Sequence, residues 1–200
     1  LIESFEVTRG PVLAAGKTSA SHDFPPLGGE WLEAILGDKS QAVAERALLA
    51  AAHDADRKRV RERGSNRGPE VEAYLARVGL NPGHPWCAAF VTFHYLAAGG
   101  DRKRLPTRPA SVCSWVRGRG FRVTDSADDV RRGDAFAWCD ADGKGHMGWI
   151  VKVIRTPVGV WIRTIEGNTN PAGSREGDGV YRRVRRWTKK MRGVLISRDA

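Results

Sequence analysis

The chain has 200 residues, of which 41% are hydrophobic and 28% are charged, and its formal net charge is +10. This length allows one sizeable domain with an appendage, and this composition excludes a disordered chain. No apolar run is long enough to span a membrane, so we expect no membrane partner. The chain begins at Leu1 without a signal-peptide pattern, so we expect a fragment or a processed form.

The first forty residues differ in composition from the rest of the chain. Residues 1–40 are net acidic and contain Gly-Pro, Pro-Pro and Gly-Gly pairs, which are typical of an arm or a linker. Residues 41–200 carry the positive charge, and we expect them to form the folded domain. A basic domain favours polyanionic partners, either nucleic acid or an anionic cell envelope.

Helical patterns come first in this domain. The first helix has Asp38 or Ser40 as its cap, the second begins at a proline that suits a first helical position, and the third is apolar on almost every face. The third should therefore be the central buried helix. The predicted spans are residues 40–63, 69–79, 85–98 and, for a short fourth helix, 111–117.

Strand patterns follow from residue 134 onward. These segments are rich in β-branched and aromatic residues and are separated by turn sequences, and the last two are expected to be edge strands. The predicted spans are residues 134–139, 146–155, 160–166, 180–187 and 193–197. Helices followed by an antiparallel sheet define an α+β fold.

Cys87 lies in the first turn of the predicted central helix, directly after Pro85 and Trp86. Unpaired N–H groups and the positive end of the helix dipole stabilise a thiolate there, and the thiolate is the nucleophilic form. A buried core thiol is the commoner role of a free cysteine. A base and a carboxylate downstream favour the catalytic role here.

His146 begins a strand between Gly145 and Gly148, which leave room around the imidazole for a substrate backbone. As a base it would pair with the thiol, and an exposed turn histidine is the alternative. His84 would more naturally cap the helix, and His94 is expected to be a packed core residue. We therefore prefer His146 as the base.

Glu166 and Asn168 end the strand that follows the His146 strand. Adjacent antiparallel strands would bring Glu166 within reach of the imidazole, where it would fix the tautomer. Asn168 could orient the histidine or polarise the scissile carbonyl. A surface glutamate before a Gly-Asn turn is the alternative. Trp86 is expected to wall the substrate groove, although a core tryptophan fits its position equally well.

The two remaining cysteines, Cys113 and Cys139, form either a disulfide or two buried thiols. Sequence alone cannot decide, because geometry controls pairing. Two thiols are slightly favoured, since the rest of the chain is not disulfide-rich.

Taken in order, these motifs resemble the CHAP family, the cysteine- and histidine-dependent amidohydrolases and peptidases of the NlpC/P60 superfamily. The resemblance covers roughly residues 42–197. The segments that carry it are Asn66-Arg67-Gly68-Pro69-Glu70-Val71, Tyr74-Leu75, Pro85-Trp86-Cys87-Ala88-Ala89-Phe90-Val91, Arg132-Gly133-Asp134, Gly145-His146-Met147-Gly148 and Glu166-Gly167-Asn168-Thr169.

The resemblance implies a papain-like fold and cleavage of amide bonds, usually in peptidoglycan peptides. It places the nucleophile at Cys87, the base at His146, the acidic third member at Glu166 and a further polar position at Asn168. Some bacteriophage members bind calcium through an acidic loop before the nucleophile. Residues 64–69 offer no such cluster, so we expect no metal and no cofactor.

We therefore expect a monomeric peptidoglycan amidase or endopeptidase located outside the cell, in the periplasm or in the cell wall. One alternative is an antibacterial effector domain with the same chemistry and a cognate inhibitor protein. Another is a nucleic-acid-binding module that uses the basic segment at residues 181–192. This segment lacks an aromatic-plus-basic binding motif, so we expect no nucleic-acid partner. The alternation in this basic segment predicts a strand with one solvated face. That face either holds the enzyme on an anionic wall or serves solubility alone.

Overall fold

The computed structural model describes residues 39–198, in which four α-helices pack against a six-stranded antiparallel sheet. The helices are α1 Lys39–Asp56, α2 Pro69–Arg77, α3 Cys87–Ala97 and α4 Val112–Arg117, with a 3₁₀ helix at Arg102–Arg104. The strands are β1 Val123–Thr124, β2 Ala135–Cys139, β3 Gly145–Thr156, β4 Gly159–Thr169, β5 Gly179–Arg186 and β6 Arg192–Val194. The predicted α+β class, with helices before an antiparallel sheet, is confirmed. The predicted Asp38 cap and nearly all of the arm at residues 1–40 lie outside the described residues.

Helix α1 ends earlier than the sequence predicts, at Asp56 instead of Arg63. The amides of Arg57 and Lys58 both bond to the carbonyl of His53, which closes the helix. The chain then turns toward the sheet, where Arg61 forms a bridge with Gly179 at the start of β5. Pairing with β5 therefore replaces the last predicted turns of the helix.

Helix α3 is the central buried helix, as predicted. It contacts α1, α2, β3 and β4, and all its residues from Cys87 to Leu96 except Phe93 are buried. The preceding helix begins at Pro69 and is followed by Gly79, whose φ of 77° is the left-handed conformation that suits a helix end. The predicted start of the second helix at Pro69 and its end before Gly79 are therefore confirmed, whereas the third helix begins at Cys87, two residues after the predicted Pro85.

The sheet has the strand order β1-β6-β2-β3-β4-β5. Strand β5 is an edge strand as predicted, but the prediction that residues 193–197 form an edge strand is wrong. Strand β6 pairs with β2 on one side and with β1 on the other. Strand β1 has only two residues, too few for a period-two pattern to reveal it.

The sheet carries a large apolar cluster on its helical face and a smaller one on the other. Alternate residues of β2 separate them, since Ala135 and Ala137 belong to the larger cluster and Phe136 to the smaller. No helix within residues 39–198 is both long and apolar enough to cross a membrane.

Cys113 and Cys139 form a disulfide, with their Cα atoms 5.2 Å apart. The slight preference for two thiols is therefore wrong. Helix α4 packs against β2, and this contact brings together two cysteines that are 26 residues apart in sequence. The bond fastens α4 to the hairpin that leads into His146.

Candidate active site

His146 and Glu166 lie on the neighbouring strands β3 and β4 and share a buried hydrogen bond. Trp149 pairs with Ile165 in this ladder, which makes His146 and Glu166 diagonal neighbours. The imidazole Nε2 donates to Glu166 Oε2 at 2.8 Å, and neither side chain is exposed to solvent. The strand adjacency inferred from the sequence is present.

Gly148 makes room for this carboxylate. A Cβ at that position would lie 2.8 Å from Glu166 Cγ and 2.8 Å from the carbonyl oxygen of Ile165. A Cβ at Gly145 would lie 2.3 Å from the carbonyl oxygen of Trp138. The expectation that these glycines leave space for a substrate is therefore corrected, because protein atoms fill the space beside both.

Cys87 is the first residue of α3 and interacts with the His146 imidazole. Trp86, the residue before the helix, makes no side-chain cap, so the first N–H groups of the helix have no partner of that kind. Because Nε2 is bonded to Glu166, Nδ1 is the imidazole nitrogen left to exchange a proton with the thiol. Among the described residues, Nδ1 has no conventional hydrogen-bond partner.

The buried charges of this site stabilise one another. Burial disfavours the charged imidazole, but the interactions with Cys87 and Glu166 outweigh it and raise the pKa of His146 to about 9. Burial also disfavours the carboxylate, but hydrogen bonds from His146 and Arg185 lower the pKa of Glu166 to about 2. Near neutral pH the pair is therefore an imidazolium and a carboxylate.

Arg185 on β5 completes the site, and sequence reasoning missed it. Its Nε donates to Glu166 Oε1 at 2.7 Å and its Nη2 donates to Oε2 at 2.5 Å, while Thr164 Oγ1 donates to Oε1 at 2.5 Å. The guanidinium carbon lies 5.1 Å from the ring centre of Trp138, which in turn packs against His146. Only 15% of the Arg185 side chain is exposed.

The basic segment contains no local signal that singles out Arg185, because both faces of β5 carry arginines. Arg183 and Arg185 are half-buried on one face of β5, whereas Arg182, Val184 and Arg186 are exposed on the other. The strand has one solvated face, as expected, but the apolar Val184 lies on it. Arg182 is already paired with Asp56, through hydrogen bonds of 2.8 and 2.5 Å.

Asn168 is buried close to the site, but its side chain makes no hydrogen bond to His146. It has a φ of 56°, at the register shift between Glu166 and Thr169, where β4 leaves its pairing with β5. Its amide nitrogen and oxygen have no hydrogen-bond partner among the described residues. The expectation that Asn168 orients the histidine is therefore not supported, since Glu166 makes that contact.

Trp86 does not wall a groove. Its side chain has no exposed surface, stacks on Tyr74 and donates from Nε1 to Glu62 Oε1 at 2.8 Å. The expected substrate contact is corrected, because the ring is enclosed in the core by its own protein partners. Of its two sequence-level interpretations, the core tryptophan is the one the structure supports.

The two competing histidines lie outside this site. His84 is exposed, and His94 is buried with its Nε2 3.0 Å from Asp54 Oδ2. The same carboxylate accepts hydrogen bonds from Tyr74 at 2.5 Å and contacts Lys58 at 2.8 Å. Burial raises the pKa of Asp54, but these three contacts outweigh it and hold the pKa well below its usual range. His94 therefore belongs to a structural network in the core.

No group of three or more His, Cys, Asp or Glu side chains within residues 39–198 is arranged to hold a metal ion. Residues 140–144 form the turn between β2 and β3, with a hydrogen bond of 2.7 Å from the Asp140 amide to the Lys144 carbonyl. The absence of a metal requirement stays a prediction.

Comparison with known proteins agrees with this geometry. Searches of curated proteins and of solved structures gave no match. A family model described as the CHAP domain matches residues 79–168, a segment that contains Cys87, His146, Glu166 and Asn168. CHAP domains are generally cysteine- and histidine-dependent amidohydrolases or peptidases that act on peptidoglycan. Residues 79–168 thus match the CHAP domain family, which confirms the resemblance predicted from the sequence motifs.

Proposed function

We propose that this protein hydrolyses an amide bond of peptidoglycan by thiol catalysis, with residues 41–200 as the catalytic domain. Cys87 is the nucleophile, His146 is the general base and Glu166 orients the histidine. The observation that carries the proposal is the connected set of contacts in which Glu166 holds Nε2 of an imidazole that interacts with Cys87. These parts, held in this order, are what thiol hydrolysis requires.

The reaction begins from the state in which His146 Nδ1 already holds the proton of Cys87, and Sγ attacks the carbonyl carbon of the scissile amide. The backbone N–H of Cys87 and one further donor stabilise the oxyanion, helped by the positive end of α3. The imidazolium then protonates the leaving amine, and the C–N bond breaks to give a thioester. Water, deprotonated by His146, attacks the thioester carbon, releases the carboxylic acid and restores the thiol.

Peptidoglycan as substrate implies action outside the cytoplasm, at the cell wall. The family match supports this location, since CHAP domains typically act on wall peptidoglycan. Both the amidase position, between glycan and stem peptide, and the endopeptidase position, within the peptides, are compatible with the site. The masses of the products distinguish these two bonds.

The test is mass spectrometry of purified peptidoglycan incubated with the protein and with its Cys87→Ala and His146→Ala variants. His84→Ala is the matched control, because it removes an exposed histidine that lies close to Cys87 in sequence. We expect new fragments from the parent and from His84→Ala, and none from the other two. Unchanged peptidoglycan from several wall types, incubated with a folded parent, would refute the proposed substrate.

A further inference from the structure

A polar cavity of about 590 Å³ lies beside the end of β4. Its lining includes three carboxylates and three asparagines, which are Glu62, Glu176, Asp178, Asn66, Asn168 and Asn170. No lysine or arginine of the described chain lines it. In a protein whose formal net charge is +10, the charged side chains that line this cavity are all acids, which favours a cationic ligand.

One position in the sequence and one hydrogen bond link this cavity to the proposed catalytic site. Asn168 lies two residues after Glu166 on the same strand. Glu62 accepts the indole N–H of Trp86, the residue directly before Cys87. A molecule bound in the cavity would therefore lie against Asn168, two residues after Glu166, and against Glu62, which is bonded to the residue before Cys87.

The amide of Asn168 points to a ligand in this cavity. The residue is 99% buried, with a relative exposure of 1%, yet both polar atoms of its side chain lack a hydrogen-bond partner among the described residues. A buried polar group without a partner is unfavourable, so a ligand that supplies a donor and an acceptor binds there with an advantage. A peptide group supplies both.

The carboxylates are held in place by other contacts. Glu62 Oε2 accepts the backbone N–H of Asn66 at 2.8 Å, and Asp178 Oδ1 accepts the hydroxyl of Tyr181 at 2.9 Å. Glu176 Oε1 accepts Arg175 Nη1 at 2.9 Å, in an ion pair whose two side chains are partly exposed. Each carboxylate can accept further hydrogen bonds, because its two oxygens provide about four acceptor sites. Within residues 39–198 these acids do not converge as a metal site would require. Their spread over one wall suits an organic cation.

We propose that this cavity binds an ammonium-bearing segment of the substrate peptide. Asn168 hydrogen-bonds a peptide group of that segment, and Glu62, Glu176 and Asp178 attract its amino group. The inference rests on the proposed function, because it assigns specificity to the same site. It makes the protein selective for peptides whose amino groups are free over peptides in which they are acylated.

The test measures binding without catalysis. The Cys87→Ala variant is titrated calorimetrically with a peptidoglycan stem peptide whose third residue is lysine, and with the same peptide acetylated on all its amines. We expect acetylation to raise the Kd about tenfold, since several partly exposed carboxylates each contribute modestly. We expect Glu176→Gln with Asp178→Asn, in the Cys87→Ala background, to bind the free peptide about as weakly as the acetylated one.

The matched control neutralises two exposed carboxylates elsewhere, with Asp125→Asn and Asp128→Asn. It should leave both Kd values within about twofold, because neither residue lines the cavity. Equal binding of the two peptides, or no binding of either, would overturn the inference. Cleavage by the parent is read separately by mass spectrometry. Cleavage without discrimination rejects only the cavity assignment, whereas discrimination without cleavage rejects only the proposed function.

Discussion

Replacing Arg185 by alanine should both destabilise the protein and weaken the proposed catalytic site. The change removes two charge-assisted hydrogen bonds, of 2.7 and 2.5 Å, from a fully buried carboxylate. Breaking a buried ion pair from one side typically costs about 3–5 kcal/mol, and we take about 2–3 kcal/mol because Arg185 is partly exposed. Denaturant titration of Arg185→Ala measures this loss.

The pH dependence of that loss follows from Glu166. Its pKa is about 2 in the folded protein and 4.5 without perturbation, so its ionised form contributes stability above pH 4.5. That contribution disappears as the pH falls toward 2. The difference between the parent and Arg185→Ala should therefore be full at neutral pH and shrink as the solution is acidified.

Activity gives a second signature, which a purely structural role for Arg185 would not produce. Without the guanidinium, burial raises the pKa of Glu166, so the acid limb of the kcat/KM profile should move to higher pH. At neutral pH we expect a loss of about tenfold in kcat/KM, equivalent to about 1.4 kcal/mol of weakened orientation. Arg185→Lys should fall between, because lysine keeps the charge but not the two parallel bonds.

Arg186→Ala is the control, because this neighbour on β5 is exposed and donates to a backbone carbonyl, that of Val158, instead of a carboxylate. Its stability and kcat/KM should stay close to those of the parent. Unfolding of Arg185→Ala at the parental denaturant concentration would rule out the stabilising role of Arg185. An acid limb that does not move would rule out its effect on Glu166.

Three further changes test other parts of the structure. The kcat/KM should fall as the pH rises through about 9, because His146 then loses the proton that it gives to the leaving amine. A kcat/KM that still rises at pH 10 would contradict this role of His146. Reducing the Cys113–Cys139 disulfide, which spans 26 residues, should lower the free energy of unfolding by about 3.5 kcal/mol in denaturant titrations. Equal unfolding midpoints with and without reductant would refute this stabilising role of the disulfide. Asp54→Asn should lower the free energy of unfolding by about 3 kcal/mol, while the kcat/KM of the folded protein stays within about twofold. Unchanged stability together with lost activity would contradict a structural role for Asp54.

The elements that carry Cys87, His146 and Glu166 could be predicted because each has a strong local signal. Proline and glycine set the boundaries around α3, and alternating apolar residues define β3 and β4. Once two strands are consecutive and antiparallel, their side chains meet at predictable positions. The His146–Glu166 contact is therefore contained in the sequence pattern.

The contacts that sequence reasoning missed depend on non-local packing. Arg185 reaches Glu166 because β5 pairs with β4 in a register that puts Arg185 opposite Ile162. Both faces of β5 carry arginines, so the sequence alone does not show which arginine points toward Glu166. Similarly, the Cys113–Cys139 bond depends on how α4 packs against β2.

The charged groups of the site alternate in sign from Arg185 through Glu166 to His146. Arg185 is bonded to Glu166, Glu166 is bonded to His146, and His146 interacts with Cys87. Glu166 has no exposed surface, so without cationic neighbours burial would favour its neutral form, which holds an imidazolium less strongly. Arg185 keeps the carboxylate ionised, and the ionised carboxylate keeps the imidazole protonated beside the thiol. The alternation therefore explains how an apolar interior can hold the charged state that proposed thiol catalysis needs, and why the orienting carboxylate needs a cation behind it.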